Sequence, residues 1–256
     1  MKAMAEHSLL LSTRQLRVFT SRSWYLVATL AQPLIWMVFL SGLLSGVARL
    51  PGFPAASYPQ FLTPGMAAVG AMFGSAWAGL TMLMDLERGV LDRLLMSPVR
   101  RVAIITGNLI PQALIAVVQT LVLLAAALLL GVRYPGGPVG LTVMTAAVVL
   151  LALTVAALSN TLALRVRSRE VQITVIQLLI FPFAFLSTAF MPEGLMASWL
   201  PTALNPVSWV VDASRTALSA QPDWPAVWLR LGLLTAVCTV SVLTAVNAFR
   251  SYQRSV

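Results

Sequence analysis

The chain has 256 residues, of which 59% are hydrophobic and only 10% are charged, and its formal net charge is +9. A water-soluble domain normally carries about 25% charged residues, so this composition excludes an ordinary soluble domain and favours a protein solvated by a lipid bilayer. The positive charge fits the arginine and lysine bias of cytoplasmic loops in membrane proteins better than it fits nucleic-acid binding.

The scarcity of three residue types limits the chemistry of the chain. His7 is the only histidine, Cys238 the only cysteine and Lys2 the only lysine. These single residues give almost no basis for a metal site or for serine–histidine catalysis. A phosphate-binding loop needs a lysine after its glycines, and Lys2 lacks that context. We therefore expect no catalytic residue, metal or cofactor in this chain, and if the protein uses ATP, another chain binds it.

Residues Ser8–Arg22 precede the first long apolar stretch and mix apolar with basic side chains. This pattern is typical of an amphipathic helix that lies in the cytoplasmic membrane interface. The alternative is a positively charged flank without helical structure. The residues concerned are Leu9, Leu10, Arg14, Leu16, Arg17, Phe19 and Arg22.

Six apolar stretches are long enough to cross a bilayer, which takes about 20 residues of helix. We therefore predict an all-α membrane protein, with residues 1–256 forming a single transmembrane domain. The residues from Met191 to Pro225 are interrupted by prolines, and we predict short outer-face or re-entrant helices there. The six predicted spans are Trp24–Val47, Phe61–Met84, Val102–Gly131, Val139–Leu164, Val171–Phe190 and Ala226–Phe249.

The loops differ strongly in charge. One set of loops and termini contains thirteen arginine and lysine residues, whereas the alternate set contains four. The positive-inside rule places the basic set in the cytoplasm. Both termini then lie in the cytoplasm, as an even number of spans requires.

The segment between the second and third predicted spans holds seven of the chain's 25 charged residues within 17 positions. Such a segment must face water rather than hydrocarbon. The spacing of its apolar residues predicts a short amphipathic helix from Glu87 to Ser97, which Pro98 ends. The helix could dock in a groove of a partner protein or rest on lipid headgroups, and the residues alone leave both alternatives open.

This segment resembles the first cytoplasmic loop of ABC-2 type permeases, the membrane subunits of bacterial ABC exporters that include the daunorubicin-resistance type. The family's loop reads E-x-G-T-hydrophobic-E-x-hydrophobic-x-x-[ST]-P. Here Val90 replaces the threonine and Asp92 replaces the second glutamate. The other motif positions hold Glu87, Gly89, Leu91, Leu94, Ser97 and Pro98.

The resemblance implies a permease that exports a hydrophobic or amphipathic substrate, of drug, lipid or glycan type, across the bacterial inner membrane. It also implies a dimer with a second copy or a paralogue, and separate ATPase subunits whose motion reaches the spans through this loop. The ATPase-coupling residues would be Glu87, Arg88, Gly89, Leu91, Asp92, Arg93, Leu94, Ser97 and Pro98.

Polar side chains inside the predicted spans are candidates for a translocation path. Asn108, Gln112 and Gln119 share one face of the third span, and Gln177 lies in the fifth. Polar groups within a membrane avoid lipid, so these four could line a substrate path or form hydrogen bonds between helices.

Small residues and charges suggest further contacts. Gly42–Gly46 and Gly70–Gly74 are spaced for close helix packing, either within one chain or between two copies. Asp212 and Arg215 are three positions apart and could pair on a helix.

The alternatives to an exporter subunit are an ion-coupled secondary transporter or channel of another family, and an intramembrane enzyme. The first normally needs carboxylates within spans, and no acidic residue lies near a predicted midplane.

Overall fold

The computed structural model describes residues 23–50, 53–89, 101–196, 199 and 201–253. Over these residues the chain forms helices joined by turns, which confirms the predicted all-α class. The predicted interfacial helix, Ser8–Arg22, lies outside the described residues. The α-helices in the described part are α1 (Ser23–Leu43), α2 (Tyr58–Ala76), α3 (Ala78–Glu87), α4 (Arg101–Leu129), α5 (Gly137–Val166), α6 (Arg169–Phe185), α7 (Pro206–Leu218) and α8 (Trp224–Gln253).

Four helical segments in the described residues are long and apolar enough to cross a membrane. They correspond to the second, third, fourth and sixth predicted spans. Helix α1 covers most of the first predicted span, and its apolar part Thr29–Leu43 is shorter than these four. The four segments are Tyr58–Glu87, Ile105–Leu129, Gly137–Val166 and Trp224–Tyr252.

Helix α6 is shorter than the predicted fifth span, because it ends at Phe185 rather than at Phe190. The side-chain amide of Asn205 donates to the carbonyl oxygens of Phe183 and Leu186 at 2.8 and 3.0 Å. The last carbonyls of a helix have no backbone partner, so this side chain satisfies the end of α6. With 17 residues, α6 is about 26 Å long, slightly less than the roughly 30 Å of a hydrocarbon core.

Helix α5 lies at the centre of the bundle and contacts α2, α3, α4, α6, α7 and α8. Its buried face is rich in alanine, which lets neighbouring helices approach closely. Helix α1 lies at the edge and packs against α2 and α4. The buried alanines of α5 include Ala147, Ala152, Ala156, Ala157 and Ala163.

The second predicted span is broken at Trp77, which separates α2 from α3. The backbone N–H of Leu80 donates to the carbonyl of Trp77, only three residues back, at 3.1 Å. The carbonyl of Ala76 accepts a hydrogen bond from the hydroxyl of Ser159 in α5. A side chain from another helix therefore satisfies the backbone at this break.

Between Met191 and Pro225 the described residues form α7 and two 3₁₀ turns, Glu193–Leu195 and Thr202–Leu204. Their predicted outer-face or re-entrant position stays a prediction. Helix α7 packs closely on the start of α5. A Cβ atom on Gly140 would lie only 2.4 Å from the carbonyl oxygen of Ala217. This approach therefore requires a residue without a side chain.

Candidate functional site

The predicted ATPase-coupling segment begins where α3 ends. Glu87 is the last residue of α3, so the prediction that a helix starts at Glu87 is wrong at that end. Gly89 adopts a positive φ of 64°, a conformation that favours glycine and terminates a helix. The remaining predicted coupling residues, Leu91, Asp92, Arg93, Leu94, Ser97 and Pro98, lie outside the described residues.

Glu87 forms a two-pronged ion pair with Arg169, the first residue of α6. The Arg169 Nε atom donates to Glu87 Oε1 at 2.8 Å, and Nη2 donates to Oε2. Both side chains are about half exposed. The pair joins the end of α3 to the start of α6, although the sequence places these residues in two separate loops.

A buried hydrogen-bond network, the Ser159 hub, joins α3, α5 and α6 more deeply in the bundle. We define it as Ser159, Gln172, Gly79 and the carbonyl of Ala76. The Ser159 hydroxyl accepts from the backbone N–H of Gly79 at 3.0 Å and donates to the Ala76 carbonyl. The Gln172 amide donates to the hydroxyl and carbonyl oxygens of Ser159 at 3.0 and 3.1 Å.

The hub depends on close packing as well as on hydrogen bonds. A Cβ atom on Gly79 would lie 2.3 Å from Gln172 Nε2 and 2.4 Å from the carbonyl oxygen of Ser159. Gln172 is 1% exposed, and Ser159 is fully buried. Helices α3 and α6 are therefore joined at two levels, by the hub inside the bundle and by the Glu87–Arg169 pair at its end.

The three polar side chains predicted for the third span are all buried. Asn160 of α5 donates to Asn108 Oδ1 at 3.4 Å, an interhelical contact of the kind that the sequence suggested as one alternative. Gln119 packs against α2, where a Cβ atom on Gly70 would lie 2.2 Å from its Nε2 atom. Gln112 is 6% exposed. A translocation path through these residues stays a prediction.

Gln177 differs from the other three because it is exposed on α6. It shares this face with a row of aromatic rings. Phe181 stacks on Phe185 with a centroid separation of 6.1 Å and makes an edge contact with Phe73 of α2 at 5.4 Å. The structure thus places Gln177 apart from Asn108, Gln112 and Gln119.

The glycine pairs differ in their surroundings. Gly70 contacts Gln119 and Pro33 of the same chain, so this pair packs within one protomer. A Cβ atom added to Gly42 or Gly46 would have no neighbouring atom of the described residues within 4 Å. Gly136 and Gly140 form a further pair, not predicted from the sequence, against which α7 packs closely.

Arg215 binds backbone carbonyls, and this role was also missed from the sequence. Its guanidinium donates to the carbonyl oxygens of Phe61, Thr188 and Ala189 at 2.8 to 3.2 Å. The same group lies 3.5 Å from the centroid of the Phe61 ring, within cation–π distance. Arg215 therefore fastens α7 to α2 and to the segment after α6.

Asp212 does not form the salt bridge that its spacing from Arg215 suggested. Its Oδ1 atom accepts a hydrogen bond from the Thr188 hydroxyl at 3.0 Å, and its Oδ2 atom lies 3.8 Å from Arg230 of α8. Burial raises the pKa of Asp212, while the Thr188 hydrogen bond and the charge of Arg230 act in the opposite direction. The Asp212 carboxylate thus connects α7 to α8 and to the segment after α6.

A cavity of about 270 Å³ opens beside Asp212, between α7, α8 and the two 3₁₀ turns. Its polar wall carries both signs of charge, and its apolar wall comes from α7, α8 and the second turn. The lining residues are Glu193, Thr202, Ala203, Trp209, Asp212, Ala226, Leu229, Arg230 and Leu233.

Three relatives found by comparison with known proteins carry the word permease in their names. The "Putative transport permease ycf38" of Porphyra purpurea is 29% identical over 202 residues, covering 78% of this chain and 69% of its own. The "Probable doxorubicin resistance ABC transporter permease protein DrrC" of Mycobacterium tuberculosis is 25% identical over 249 residues, covering 96% and 88%. The "Daunorubicin resistance ABC transporter permease protein DrrB1" of Streptomyces coeruleorubidus is 23% identical over 228 residues, covering 88% and 80%.

The family profile of the ABC-2 type transporters matches residues 7–218, which include α1 to α7 and the loop between α3 and α4. The match covers most of the chain and extends over both the Glu87–Arg169 pair and the Ser159 hub. Proteins of this family are membrane subunits for transport and are not themselves the ATPase. The chain therefore belongs to the ABC-2 type transporter family.

Proposed function

We propose that this chain is the permease subunit of an ATP-driven exporter in the bacterial inner membrane. It crosses the membrane six times, and both termini lie in the cytoplasm. A second copy or a paralogue completes the permease, and a separate ABC ATPase binds ATP and Mg. The basic loops on one side and the family membership support this assignment.

The observation that carries the proposal is the double connection between α3 and α6. The coupling segment follows directly on α3, so a displacement of that segment pulls on Glu87. The ion pair with Arg169 and the hydrogen bonds of the Ser159 hub then move α6 together with α3. Buried hydrogen-bond networks of this kind hold neighbouring helices in a fixed arrangement, which suits them to transmit a displacement.

The buried polar groups favour an ATP-driven exporter over an ion-coupled transporter. In the described parts of the membrane-crossing helices, the buried polar side chains are amides and hydroxyls. Such groups do not change protonation near neutral pH, whereas proton relays in membranes use chains of carboxylates and histidines. Asn108, Gln112 and Gln119 offer a neutral hydrogen-bonding path, consistent with an amphipathic substrate.

The exposed face of α6 points to the position of the second copy. Gln177 lies on this face beside Leu178, which is 72% exposed, and close to Phe181. An amide that faces hydrocarbon is costly, so Gln177 faces water or protein in the working assembly. We therefore place α6 toward the second copy. The Gln177 amide and the aromatic rings of α6 would there contact the substrate, an amphipathic drug, lipid or glycan-type molecule.

The test uses the permease co-expressed with its ABC ATPase and a substitution in the predicted coupling helix. Leu91→Pro removes a helical hydrogen bond and costs about 3 kcal/mol in a helix interior. We expect membrane insertion to persist and ATP-dependent substrate export from vesicles to fall to background. Leu91→Met, which keeps the helix and the apolar surface, is the matched control and should export normally. Normal export by Leu91→Pro, or export by the permease without any ATPase, would refute the proposal.

A further inference from the structure

The cavity between α7 and α8 has the composition of a binding site for a molecule that carries both charges. Asp212 and Glu193 provide two carboxylates, and Arg230 provides a guanidinium. The Arg230–Asp212 distance of 3.8 Å exceeds a normal hydrogen bond, so these opposite charges share the cavity without closing it. A ligand with one cationic and one anionic group can therefore contact both.

The walls of the cavity are held in place by the surrounding fold. The Glu193 carboxylate accepts a hydrogen bond from the Thr202 hydroxyl at 3.0 Å, and Asp212 is held by Thr188. The indole N–H of Trp209 donates to the carbonyl of Ala203 at 2.6 Å, which fixes the ring as part of the wall. Binding would therefore require little ordering of these groups.

The cavity opens onto an apolar surface of a membrane-crossing helix. Leu229 and Leu233 are one helical turn apart on α8 and are 66% and 40% exposed, and both also line the cavity. Helix α8 is one of the four segments long and apolar enough to cross a membrane, which suits these side chains to contact acyl chains. Trp228, 62% exposed, lies beside them, as is typical of a membrane–water interface.

We propose that this cavity binds the headgroup of a zwitterionic phospholipid with a primary ammonium group, of the phosphatidylethanolamine type, in the outer leaflet. The phosphate contacts Arg230, the ammonium group contacts Asp212 and Glu193, and the acyl chains lie along Leu229 and Leu233. An organic cation alone would leave the Arg230 guanidinium with only the Asp212 carboxylate, 3.8 Å away, as its anionic partner. An anionic lipid would place its charge against two carboxylates. The placement in the outer leaflet rests on the proposed topology, whereas the recognition of the lipid does not.

The experiment measures lipid retention by the purified full-length permease without its ATPase. Native mass spectrometry counts bound lipids after delipidation and addition of phosphatidylethanolamine, phosphatidylcholine or phosphatidylglycerol. We expect wild type to prefer phosphatidylethanolamine about tenfold, since hydrogen bonds to charged groups contribute roughly 1.5–3 kcal/mol. Arg230→Gln should lower the retention of all three lipids, because it removes the partner of the phosphate that they share. Arg49→Gln, at an exposed arginine of another loop on the same proposed face, should not.

A second variant separates the two halves of the headgroup. Asp212→Asn keeps an oxygen for the Thr188 hydrogen bond and removes the negative charge, so it should lower the retention of phosphatidylethanolamine without lowering that of phosphatidylglycerol. Equal retention of all three lipids by wild type, unchanged retention in Arg230→Gln, or an unchanged preference in Asp212→Asn would overturn the inference. Because no ATPase or export is involved, this result is independent of the test of the proposed function.

Discussion

At the scale of single residues, Ser159 makes the connections on which the bundle centre depends. Its hydroxyl oxygen accepts from Gly79 and Gln172 and donates to Ala76, so one small side chain bonds three groups. Two of these groups belong to the backbone at the break after α2. A buried backbone group without a partner costs about 1–3 kcal/mol, so the break is tolerated because Ser159 supplies the partner.

We expect Ser159→Ala to lower the stability of the permease by about 2 kcal/mol, because it leaves the Gly79 N–H and the Ala76 carbonyl without their hydroxyl partner. Thermal unfolding of the purified protein in detergent, followed by tryptophan fluorescence, measures the effect.

The matched control is Ser214→Ala, because Ser214 is equally buried and its hydroxyl bonds only the Val210 carbonyl of its own helix. This variant should lose much less stability than Ser159→Ala. Equal losses in the two variants would show that Ser159 is an ordinary buried serine.

At the scale of helices, the pairing of α3 with α6 matters more than the stability of either helix. The Glu87–Arg169 pair is about half exposed, and exposed ion pairs contribute only about 0–1 kcal/mol. Its consequence is geometric, since the two-pronged contact fixes the end of α3 relative to α6. Its loss should therefore affect coupling and leave folding nearly unchanged.

A charge exchange tests this pairing. Glu87→Arg places two guanidinium groups together. We expect ATP-dependent export to fall at least fivefold, since a coupling loss of about 1 kcal/mol corresponds to roughly fivefold. The unfolding temperature should stay unchanged. The double variant Glu87→Arg with Arg169→Glu should restore most of the export. Export by vesicles, normalised to ATP hydrolysis, is the measurement.

Glu170, the exposed residue that follows Arg169, provides the control. Glu170→Arg makes the same charge change as Glu87→Arg but does not touch the ion pair. Its export should stay close to wild type. A double variant no better than Glu87→Arg alone would indicate that Glu87 acts on the ATPase and not through Arg169.

At the scale of the whole molecule, the charged contacts gather at opposite ends of the bundle. The Glu87–Arg169 pair lies at one end, and Arg215 and Arg230 lie with Asp212 near the other. The proposed topology assigns the first end to the cytoplasm and the second to the outer face.

Cysteine labelling tests this orientation, and the chain suits it because Cys238 is its single cysteine. In a Cys238→Ala background, a membrane-impermeant maleimide should label Arg133→Cys in intact cells. It should label Arg165→Cys only after the membrane is opened, since both positions are exposed but lie on opposite predicted sides of the membrane. Labelling of both variants in intact cells, or the reverse pattern, would contradict the six-span topology.

The sequence by itself determined the class of the protein. Long apolar runs form helices because a bilayer provides no partners for backbone groups, and the low charged fraction leaves no soluble alternative. The loop from Glu87 to Pro98 indicated the family, and the family comparison confirmed it. These features are local in the chain, so they can be read one segment at a time.

Only the tertiary structure decided which distant residues meet. Glu87 and Arg169 are 82 positions apart, and Arg215 binds a carbonyl 154 positions away. The sequence instead suggested the local pair Asp212–Arg215, because spacing on one helix is all that periodicity can show. The sequence missed the break after α2 and misplaced the end of α6 for the same reason. Side chains from other parts of the fold satisfy the backbone at both places.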